Sequence, residues 1–262
     1  MPAADGTLLS RYECKYLVSE EMAQEIRLWT AGFVEPDPFA RRRPSRRYPI
    51  CSLYLDSPDL RLYRTTVEGH KNRFKLRIRT YTENPRDPAF LEIKRRVDQV
   101  VLKRRAAVER HCIPELLTGR PAGAARALPP DAAEFLSTSL FSHARPCMRI
   151  RYLREAYNSR NGDPVRITFD TKLQCCPTSA LDLSHRSPEW RPVPLPGVIL
   201  EIKFTDLYPS WVGELIGRFE LHRQSVAKYI LGVDEAIRTG AITTVAPMLR
   251  APSLELNGGP GL

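Results

Sequence analysis

The chain lacks long apolar runs, a secretory leader pattern and any regular cysteine spacing. No stretch approaches the ~20 apolar residues that a membrane-spanning helix needs, and the first residues do not follow the basic-then-apolar order of a signal peptide. The six cysteines fall at irregular positions without a C-x-x-C motif, which argues against a zinc site or a disulfide framework. We therefore expect reduced thiols, a cytoplasmic location and no transmembrane segment within the chain itself.

Histidine is also scarce, while positive charge is abundant. The five histidines are scattered without an H-x-x-x-H pair or a Cys/His dyad, so nucleophilic hydrolase chemistry has little support. The 40 Lys and Arg residues exceed the 30 Asp and Glu residues, which gives a net charge of +10. Such an excess favours an anionic partner, and nucleic acid, a membrane surface and polyphosphate all meet that description.

Short strand-like segments dominate the chain, and helical patterns are few. We expect helices that begin near Ser19, Asp131, Ser210 and Ser225. The absence of regular βαβ alternation indicates an α+β protein with one mostly antiparallel sheet or barrel of about eight strands. We predict a single domain over residues 1–245 and a disordered tail over residues 246–262. The predicted strands are Arg11–Val18, Ile50–Leu55, Arg73–Tyr81, Ala89–Arg95, Gln99–Ala107, Met148–Tyr157, Val165–Leu173 and Val198–Thr205.

Charged and apolar residues alternate along several of these strands. Because successive side chains of a strand point to opposite faces, Lys75, Arg77 and Arg79 share one face, and Leu76 and Ile78 share the other. The phrase Leu-Glu-Ile-Lys occurs at 91–94 and again at 200–203 with the same alternation. On the strand from 148 to 157, the same rule groups Arg154 with Tyr152 and places Arg149 and Arg151 on the opposite face.

This alternation has two interpretations. An ordinary sheet has one solvated, charged face and one packed face, but a solubilising face normally mixes the two signs of charge. Two cations about 4 Å apart repel by about 4 kcal/mol at an effective dielectric near 20. A face this rich in Lys and Arg is therefore stable when water separates the charges or when a polyanion lies among them. Closure of about eight strands would create an interior that a ligand can enter.

Nine motifs follow one another along the chain. They are Arg11-Tyr-Glu-Cys-Lys-Tyr, Ser52-Leu-Tyr-Leu-Asp-Ser, Lys75-Leu-Arg-Ile-Arg-Thr-Tyr, Leu91-Glu-Ile-Lys, Lys103-Arg-Arg, Tyr152-Leu-Arg-Glu-Ala-Tyr, Arg166-Ile-Thr-Phe-Asp, Leu200-Glu-Ile-Lys and Ala227-Lys-Tyr. In this order they resemble the motifs of the VTC domain, which is the polyphosphate polymerase domain of the vacuolar transporter chaperone family and lies within the triphosphate tunnel superfamily. The similarity runs from about residue 8 to residue 238.

The resemblance implies an antiparallel β-barrel tunnel with helices packed on the outside. It implies a metal-dependent enzyme, with Mn²⁺ or Mg²⁺, that transfers the γ-phosphate of ATP to polyphosphate and releases ADP. ATP and polyphosphate would be its partners, nucleic acid would not, and a membrane protein could be a further partner. By position, the catalytic residues would be Arg77, Arg79, Lys94, Arg154, Arg166 and Lys228. The substrate-binding residues would be Lys15, Lys103, Arg105, Tyr152 and Lys203, with Glu201 as the metal ligand.

The chain departs from the family pattern at two positions and from the pattern of hydrolytic tunnel enzymes at a third. Ala227 stands where eukaryotic members place a serine before the helix lysine, and Thr66 stands where a basic residue is expected. Arg11 replaces the first glutamate of the Glu-x-Glu-x-Lys motif of hydrolytic tunnel enzymes, which removes a carboxylate that would help to activate water. Two alternatives to the polymerase remain open. One is an inorganic triphosphatase or another tunnel nucleotide enzyme, and the other is a non-catalytic module that binds polyphosphate or another polyanion.

Overall fold

One antiparallel sheet organises the protein. The computed structural model describes residues 11–98, 100–119, 128–160, 165–205, 209–243 and 254–257. The strands of this part of the chain are β1 (Arg11–Val18), β2 (Val34–Pro36), β3 (Arg47–Asp56), β4 (Arg73–Thr80), β5 (Ala89–Val97), β6 (Val100–Val108), β7 (Arg145–Ser159), β8 (Arg166–Pro177), β9 (Arg191–Pro192) and β10 (Val198–Thr205). The helices are α1 (Glu20–Thr30), α2 (Pro38–Arg41), α3 (Arg61–Val67), α4 (Ile113–Leu117), α5 (Pro130–Phe141), α6 (Ser210–Arg218) and α7 (Lys228–Arg238), with a 3₁₀ turn at Arg110–Cys112.

The main strands follow the order β1-β10-β8-β7-β3-β4-β5-β6, and each neighbouring pair is antiparallel. All the predicted strands are present, and β1 and β10 have the predicted bounds. The short β2 pairs with β7 and the short β9 with β8, so both extend the sheet locally. The predicted α+β class with an antiparallel sheet is confirmed.

The sheet curls into a half-barrel whose concave face encloses a space that we call the lumen. Its two edge strands are β1 and β6, and no backbone pairing joins them within the described residues. Side chains link the two sides of the lumen instead. Lys94 Nζ on β5 donates to Glu13 Oε2 on β1 at 2.9 Å, although these strands are far apart in the sheet order.

Helices cover the apolar residues of the convex face. Leu76, Ile78 and Ile93 are fully buried in one cluster with Ile113 of α4 and Phe135 of α5. Burial of such a side chain stabilises the fold by roughly 1.5–3 kcal/mol. The apolar half of each alternating strand therefore lies outside, against helices, and the charged half lies inside.

A second convex-face cluster lies at the other end of the sheet order. Ile202 of β10 packs there with Ile26 of α1 and Leu215 of α6, and all three are fully buried. The start of α1 follows the sequence prediction, since the Ser19 hydroxyl accepts a hydrogen bond from the Met22 amide at 3.0 Å. A side-chain cap of this kind satisfies an amide that the helix itself leaves unpaired.

The last helix, α7, packs on the concave face and not on the outside. Its Tyr229 ring stacks on Tyr54 of β3, with 4.8 Å between ring centroids, and Lys228 points toward Asp170 of β8. The helix begins at Lys228, with Ala227 as a cap that offers no side-chain hydrogen bond, and not at the predicted Ser225. The helix predicted to begin at Asp131 starts one residue earlier, at Pro130, because proline suits the first turn.

A short C-terminal segment lies against β1. The backbone amide of Asn257 donates to the Leu17 carbonyl at 2.8 Å, and its side-chain amide donates to the same oxygen at 2.9 Å. Gly197 permits the close approach of this segment and β1, because a Cβ atom there would lie 2.1 Å from the Val18 carbonyl oxygen and 2.8 Å from Leu256 Cδ2. The rest of segment 246–262 lies outside the described residues. None of the described helices has the length and apolar character required to cross a membrane.

Candidate functional site

One half of the lumen is organised around Glu92 of β5. Its carboxylate is 1% exposed and lies 2.6 Å from the Arg77 guanidinium, 2.9 Å from Lys103 Nζ and 3.4 Å from Arg105 Nε. Arg79 lies farther away, at 3.9 Å. The register explains this convergence, because Glu92 is directly opposite Arg77 on β4 and Arg105 on β6. The alternation of the sequence therefore places these cations around one shared buried anion.

The other half is organised around Asp170 of β8 and Glu201 of β10. Arg154 binds Asp170 through two hydrogen bonds of 2.7 and 2.6 Å, which is the fork geometry that guanidinium groups favour with carboxylates. Lys228 Nζ lies 2.7 Å from Asp170 and 2.9 Å from Glu201. Lys203 reaches Glu201 from its own strand at 3.1 Å. Cations from β7, β10 and α7 thus neutralise all of the carboxylate charge in this half.

These contacts fix the ionisation of the buried groups. Burial raises the pKa of Glu201, but the charges of Lys228, Lys203, Lys15 and Arg154 outweigh it and hold that pKa well below its usual range. Burial lowers the pKa of Lys228, and Asp170 and Glu201 more than reverse that effect, so its pKa is raised. Glu201 and Lys228 are therefore both charged at neutral pH.

Glu13 of β1 lies between the two halves. Its carboxylate accepts from Lys94 at 2.9 Å and lies 3.2 Å from Lys15 Nζ. Lys15 in turn lies 3.7 Å from Glu201 and donates to the Val226 carbonyl at 2.9 Å. Burial would raise the pKa of Glu13, but the neighbouring lysines, Lys15 first, lower it well below the ordinary value.

Tyr152 lies between the arginines and the end of α7. Its hydroxyl accepts a hydrogen bond from Arg79 at 3.5 Å, and Lys228 Nζ lies 4.9 Å from the ring centroid. The Arg154 guanidinium is 5.4 Å from the same centroid. Tyr152 and Arg154 therefore share the concave face, as alternation predicts. Arg149 and Arg151 face the other way, where both lie over the Trp190 ring.

Arg166 is the one predicted site residue that the structure separates from these clusters. Its guanidinium lies 2.6 Å from Asp37 and donates to Asn158 at 2.8 Å and to the Tyr48 hydroxyl at 3.3 Å. Within the described residues it makes no ion pair with Glu92 or Glu201. All the other predicted site residues contact a member of the two clusters or Glu13. Its partners Asp37, Asn158 and Tyr48 place it at the rim of the lumen.

Lys75 lines the lumen as well, although it was not among the predicted site residues. Within the described residues it has no ion pair and no hydrogen bond, unlike its neighbours Arg77 and Lys94. Burial and then the charges of Lys15 and Lys94 lower the pKa of Lys75 well below its ordinary value. The sequence does predict that Lys75 faces the lumen, because alternation groups it with Arg77 and Arg79. A lysine without an anionic partner, in a basic lumen, is suited to bind an anionic ligand.

Two carboxylates of the lumen, those of Glu13 and Glu201, lie near one another. Glu13 and Glu201 lie on paired strands, and Lys15 Nζ contacts both carboxylates, so their oxygens are near one another. Carboxylate oxygens are the ligands that Mg²⁺ and Mn²⁺ prefer. Within the described residues, one group of three acidic, histidine or cysteine side chains is close enough to hold a metal, namely Glu109, His111 and Cys112 after β6. In the lumen, two carboxylates would hold the metal together with ligand oxygens.

Comparison with known proteins gives a family and two structural likenesses. The family model of the VTC domain matches residues 10–237. The chain is similar to a Bacillus halodurans protein provisionally described as an adenylate cyclase, at a TM-score of 0.41 and 13% identity, over 92% of this chain and 96% of that chain. It is also similar to the PH1819 protein of Pyrococcus horikoshii OT3, at a TM-score of 0.42 and 12% identity, over 86% and 99%. No curated protein matches the sequence.

Proposed function

Since this chain belongs to the VTC domain family, whose members are tunnel-fold enzymes of nucleotides and polyphosphate, we propose that it is a polyphosphate polymerase. It would transfer the γ-phosphate of ATP to a growing polyphosphate chain and release ADP. Lys15, Lys75, Lys94, Lys103 and Lys203 would bind and orient phosphates, together with Arg105 and Tyr152. Arg77, Arg79, Arg154 and Lys228 would stabilise the charge of the phosphoryl group during transfer, and Arg166 would contact the ligand at the rim.

The observation that carries this proposal is the excess of cations over carboxylates on the concave face. Glu13, Glu92, Asp170 and Glu201 are each shared by two or more cations, and Lys75 has no anion at all within the described residues. Like charges at such distances repel, and a chain of phosphates would relieve that repulsion. An extended lumen lined by cations suits a linear polyanion better than a compact ligand.

The chemistry needs no covalent nucleophile. Phosphoryl transfer is catalysed mainly by positioning of the two reacting groups and by neutralisation of the charge on the transferred group. Arginine supplies both effects because its planar fork binds two phosphate oxygens at once. A Mn²⁺ or Mg²⁺ ion held by Glu201 and Glu13 would supply further neutralisation of phosphate charge when bound.

The decisive experiment incubates the protein with ATP and Mn²⁺ and then separates the products. We expect a ladder of polyphosphate on a gel, with ADP formed in equal amount to the phosphate units incorporated. Arg79→Ala should remove this activity. Arg104→Ala is the matched control, because Arg104 lies next to lumen-facing Arg105 but points to the convex side, beside Asp131 and Glu134 of α5.

Other products identify the alternatives. Free phosphate from ATP or tripolyphosphate without polymer would indicate a triphosphatase. No turnover, together with tight binding of polyphosphate, would indicate a binding module.

Binding can be measured separately through thermal stability. A ligand that binds only the folded state at 100 times its Kd stabilises it by about 2.7 kcal/mol, and each kcal/mol moves Tm by roughly 2–4 °C for a protein of this size. We therefore expect tripolyphosphate to raise Tm by several degrees, and Arg77→Ala or Arg79→Ala to reduce that rise. The polyamine spermine should have no effect. A rise that disappears at about 0.15 M salt and is unchanged in both variants would indicate an ordinary basic surface.

A further inference from the structure

Four aromatic side chains form a continuous arc at one end of the lumen, which we call the aromatic mouth: Phe39, Tyr48, Tyr81 and Phe90. Phe39 is 53% exposed and lies on α2, and its ring centroid is 6.0 Å from that of Tyr81 and 5.8 Å from that of Tyr48. Tyr81 meets the edge of Phe90 at 5.5 Å. Phe39 therefore offers an exposed ring face beside three aromatic rings that are buried or partly buried.

Arginines accompany these rings on both sides. The Arg105 guanidinium lies 3.8 Å above the Phe90 ring, and its Nη2 donates to the Tyr81 hydroxyl at 3.3 Å. The Arg166 guanidinium donates to the Tyr48 hydroxyl at 3.3 Å. Arg105 also contacts Glu92 at 3.4 Å, so the aromatic mouth is joined directly to the phosphate-binding half of the lumen around Glu92.

The opposite end of the lumen has a different character. There Tyr229 of α7 stacks on Tyr54. Tyr54 and Tyr48 lie on the same face of β3 and are about 20 Å apart at the usual strand rise. Lys75 lies near the α7 end, because its neighbour Leu76 pairs with Leu55, which is next to Tyr54. Lys15 donates to the Val226 carbonyl, two residues before α7. The lumen therefore has one aromatic end and one end that is closed by a helix and rich in lysine.

We propose that the aromatic mouth binds the base of a nucleoside triphosphate, which stacks on the exposed face of Phe39 while its triphosphate passes Arg105 toward Arg77 and Arg79. The inference rests on the proposed function for the identity of the donor. Aromatic stacking tolerates any base because every base has a π-face, so the site should distinguish nucleotides from inorganic polyphosphate more strongly than one base from another. The aromatic end then receives the donor nucleotide.

The test compares a nucleotide with a ligand that has no base. We would measure the Kd of β,γ-methylene ATP and of inorganic tripolyphosphate by calorimetry in EDTA, so that neither ligand turns over. Loss of one stacked base typically weakens binding by about 5- to 150-fold. Phe39→Ala should weaken the ATP analogue by this factor and leave the Kd of tripolyphosphate within about twofold. Phe39→Trp should restore binding of the analogue.

A matched control is available in α5. Phe141 is 83% exposed on a helix of the convex side, so Phe141→Ala removes an exposed ring of the same kind and should change neither Kd. Equal weakening of both ligands by Phe39→Ala would overturn the inference, because it would locate the effect at the phosphates. An unchanged Kd for the ATP analogue would also overturn it.

The outcome separates this inference from the proposed function. Polymer formation from ATP by the wild type, with an unaltered analogue Kd in Phe39→Ala, would leave the polymerase proposal standing and remove the base site. Selective loss of analogue binding in Phe39→Ala, with no polymer formed by the wild type, would leave the base site standing and remove the polymerase proposal. A wild type that binds neither ligand would overturn both.

Discussion

Lys228 Nζ lies 2.9 Å from Glu201 Oε1, and both side chains are less than a tenth exposed. Lys228 is the first residue of α7, where the helix dipole disfavours a positive charge. Asp170, 2.7 Å away, supplies the second negative charge that outweighs this penalty. The pair therefore attaches α7 to the concave face and, at the same place, presents a permanently charged lysine to the lumen.

Removal of this lysine should destabilise the protein. Lys228→Met would leave two buried carboxylates with fewer cations, and loss of one partner of a buried pair typically costs about 3–5 kcal/mol. We expect Tm to fall by roughly 2–4 °C for each kcal/mol, measured by calorimetry without ligand. Lys203→Met is the matched control, because Lys203 also contacts Glu201 but its side chain is 33% exposed, so about 1 kcal/mol or less is expected. Equal Tm values for the two variants would show that burial does not determine how much the contact of Lys228 with Glu201 contributes to stability.

The sheet and most of the candidate site could be predicted from the sequence. Alternation decides which face each strand residue occupies, and this rule placed Arg77 and Arg79 in the lumen with Leu76 and Ile78 under helices. The predicted fold class followed from the same pattern. Residue roles came from family resemblance and stay predictions, although the structure brings nearly all of those side chains to shared carboxylates.

The position of α7 and the partners of the lumen cations depend on contacts that no local sequence pattern encodes. Periodicity gives the apolar face of α7 but does not say that the helix packs on the concave face, because that choice rests on distant partners such as Tyr54 and Asp170. Likewise, the sequence does not show which cation lacks an anion. Arg166 is bound to Asp37 from a loop more than a hundred residues away, whereas Lys75 is left without a partner among the described residues.

Substitution of Glu201 and substitution of Glu92 should change the Mn²⁺ dependence of activity differently. Both are buried carboxylates that neutralise lumen cations, and the proposed metal ligand is Glu201, which shares Lys15 with Glu13. Glu201→Gln should lower turnover by about 10²–10³ and raise the Mn²⁺ concentration needed for half-maximal activity. Glu92→Gln removes the same charge and should leave that Mn²⁺ concentration unchanged. The readout is activity against metal concentration, and an equal change in both variants would place the metal elsewhere.

Lys75 should contribute to binding and not to stability. Because burial and the charges of Lys15 and Lys94 oppose its charged form, Lys75→Met removes repulsion and breaks no ion pair within the described residues. We expect the ligand-free Tm to stay constant or to rise, while the rise in Tm caused by tripolyphosphate becomes smaller. Lys94→Met is the comparison, since it also removes the 2.9 Å contact with Glu13. A full tripolyphosphate response in Lys75→Met would show that this lysine does not contact the ligand.

Lys103 should make ligand binding depend on pH. Burial, only partly offset by Glu92, lowers the pKa of Lys103 from 10.5 to about 7. Above pH 7 the empty protein therefore loses this charge, whereas bound phosphate favours the charged form, so the ligand should drive proton uptake. At pH 8, where Lys103 is mostly neutral without ligand, binding of tripolyphosphate should take up protons, and affinity should fall as pH rises through 7.

The uptake is measured by calorimetry in two buffers with different ionisation enthalpies, since the apparent binding enthalpy then changes with the number of protons exchanged. Lys103→Arg is the sharpest variant, because arginine keeps the charge but stays protonated throughout this range. We expect the variant to take up fewer protons than the wild type at pH 8 and to show a flatter affinity profile between pH 6.5 and pH 8. Lys75 can add to the uptake in both proteins, so the difference between them isolates Lys103. Identical proton uptake in wild type and variant would show that Lys103 is already charged in the empty lumen or does not meet the ligand.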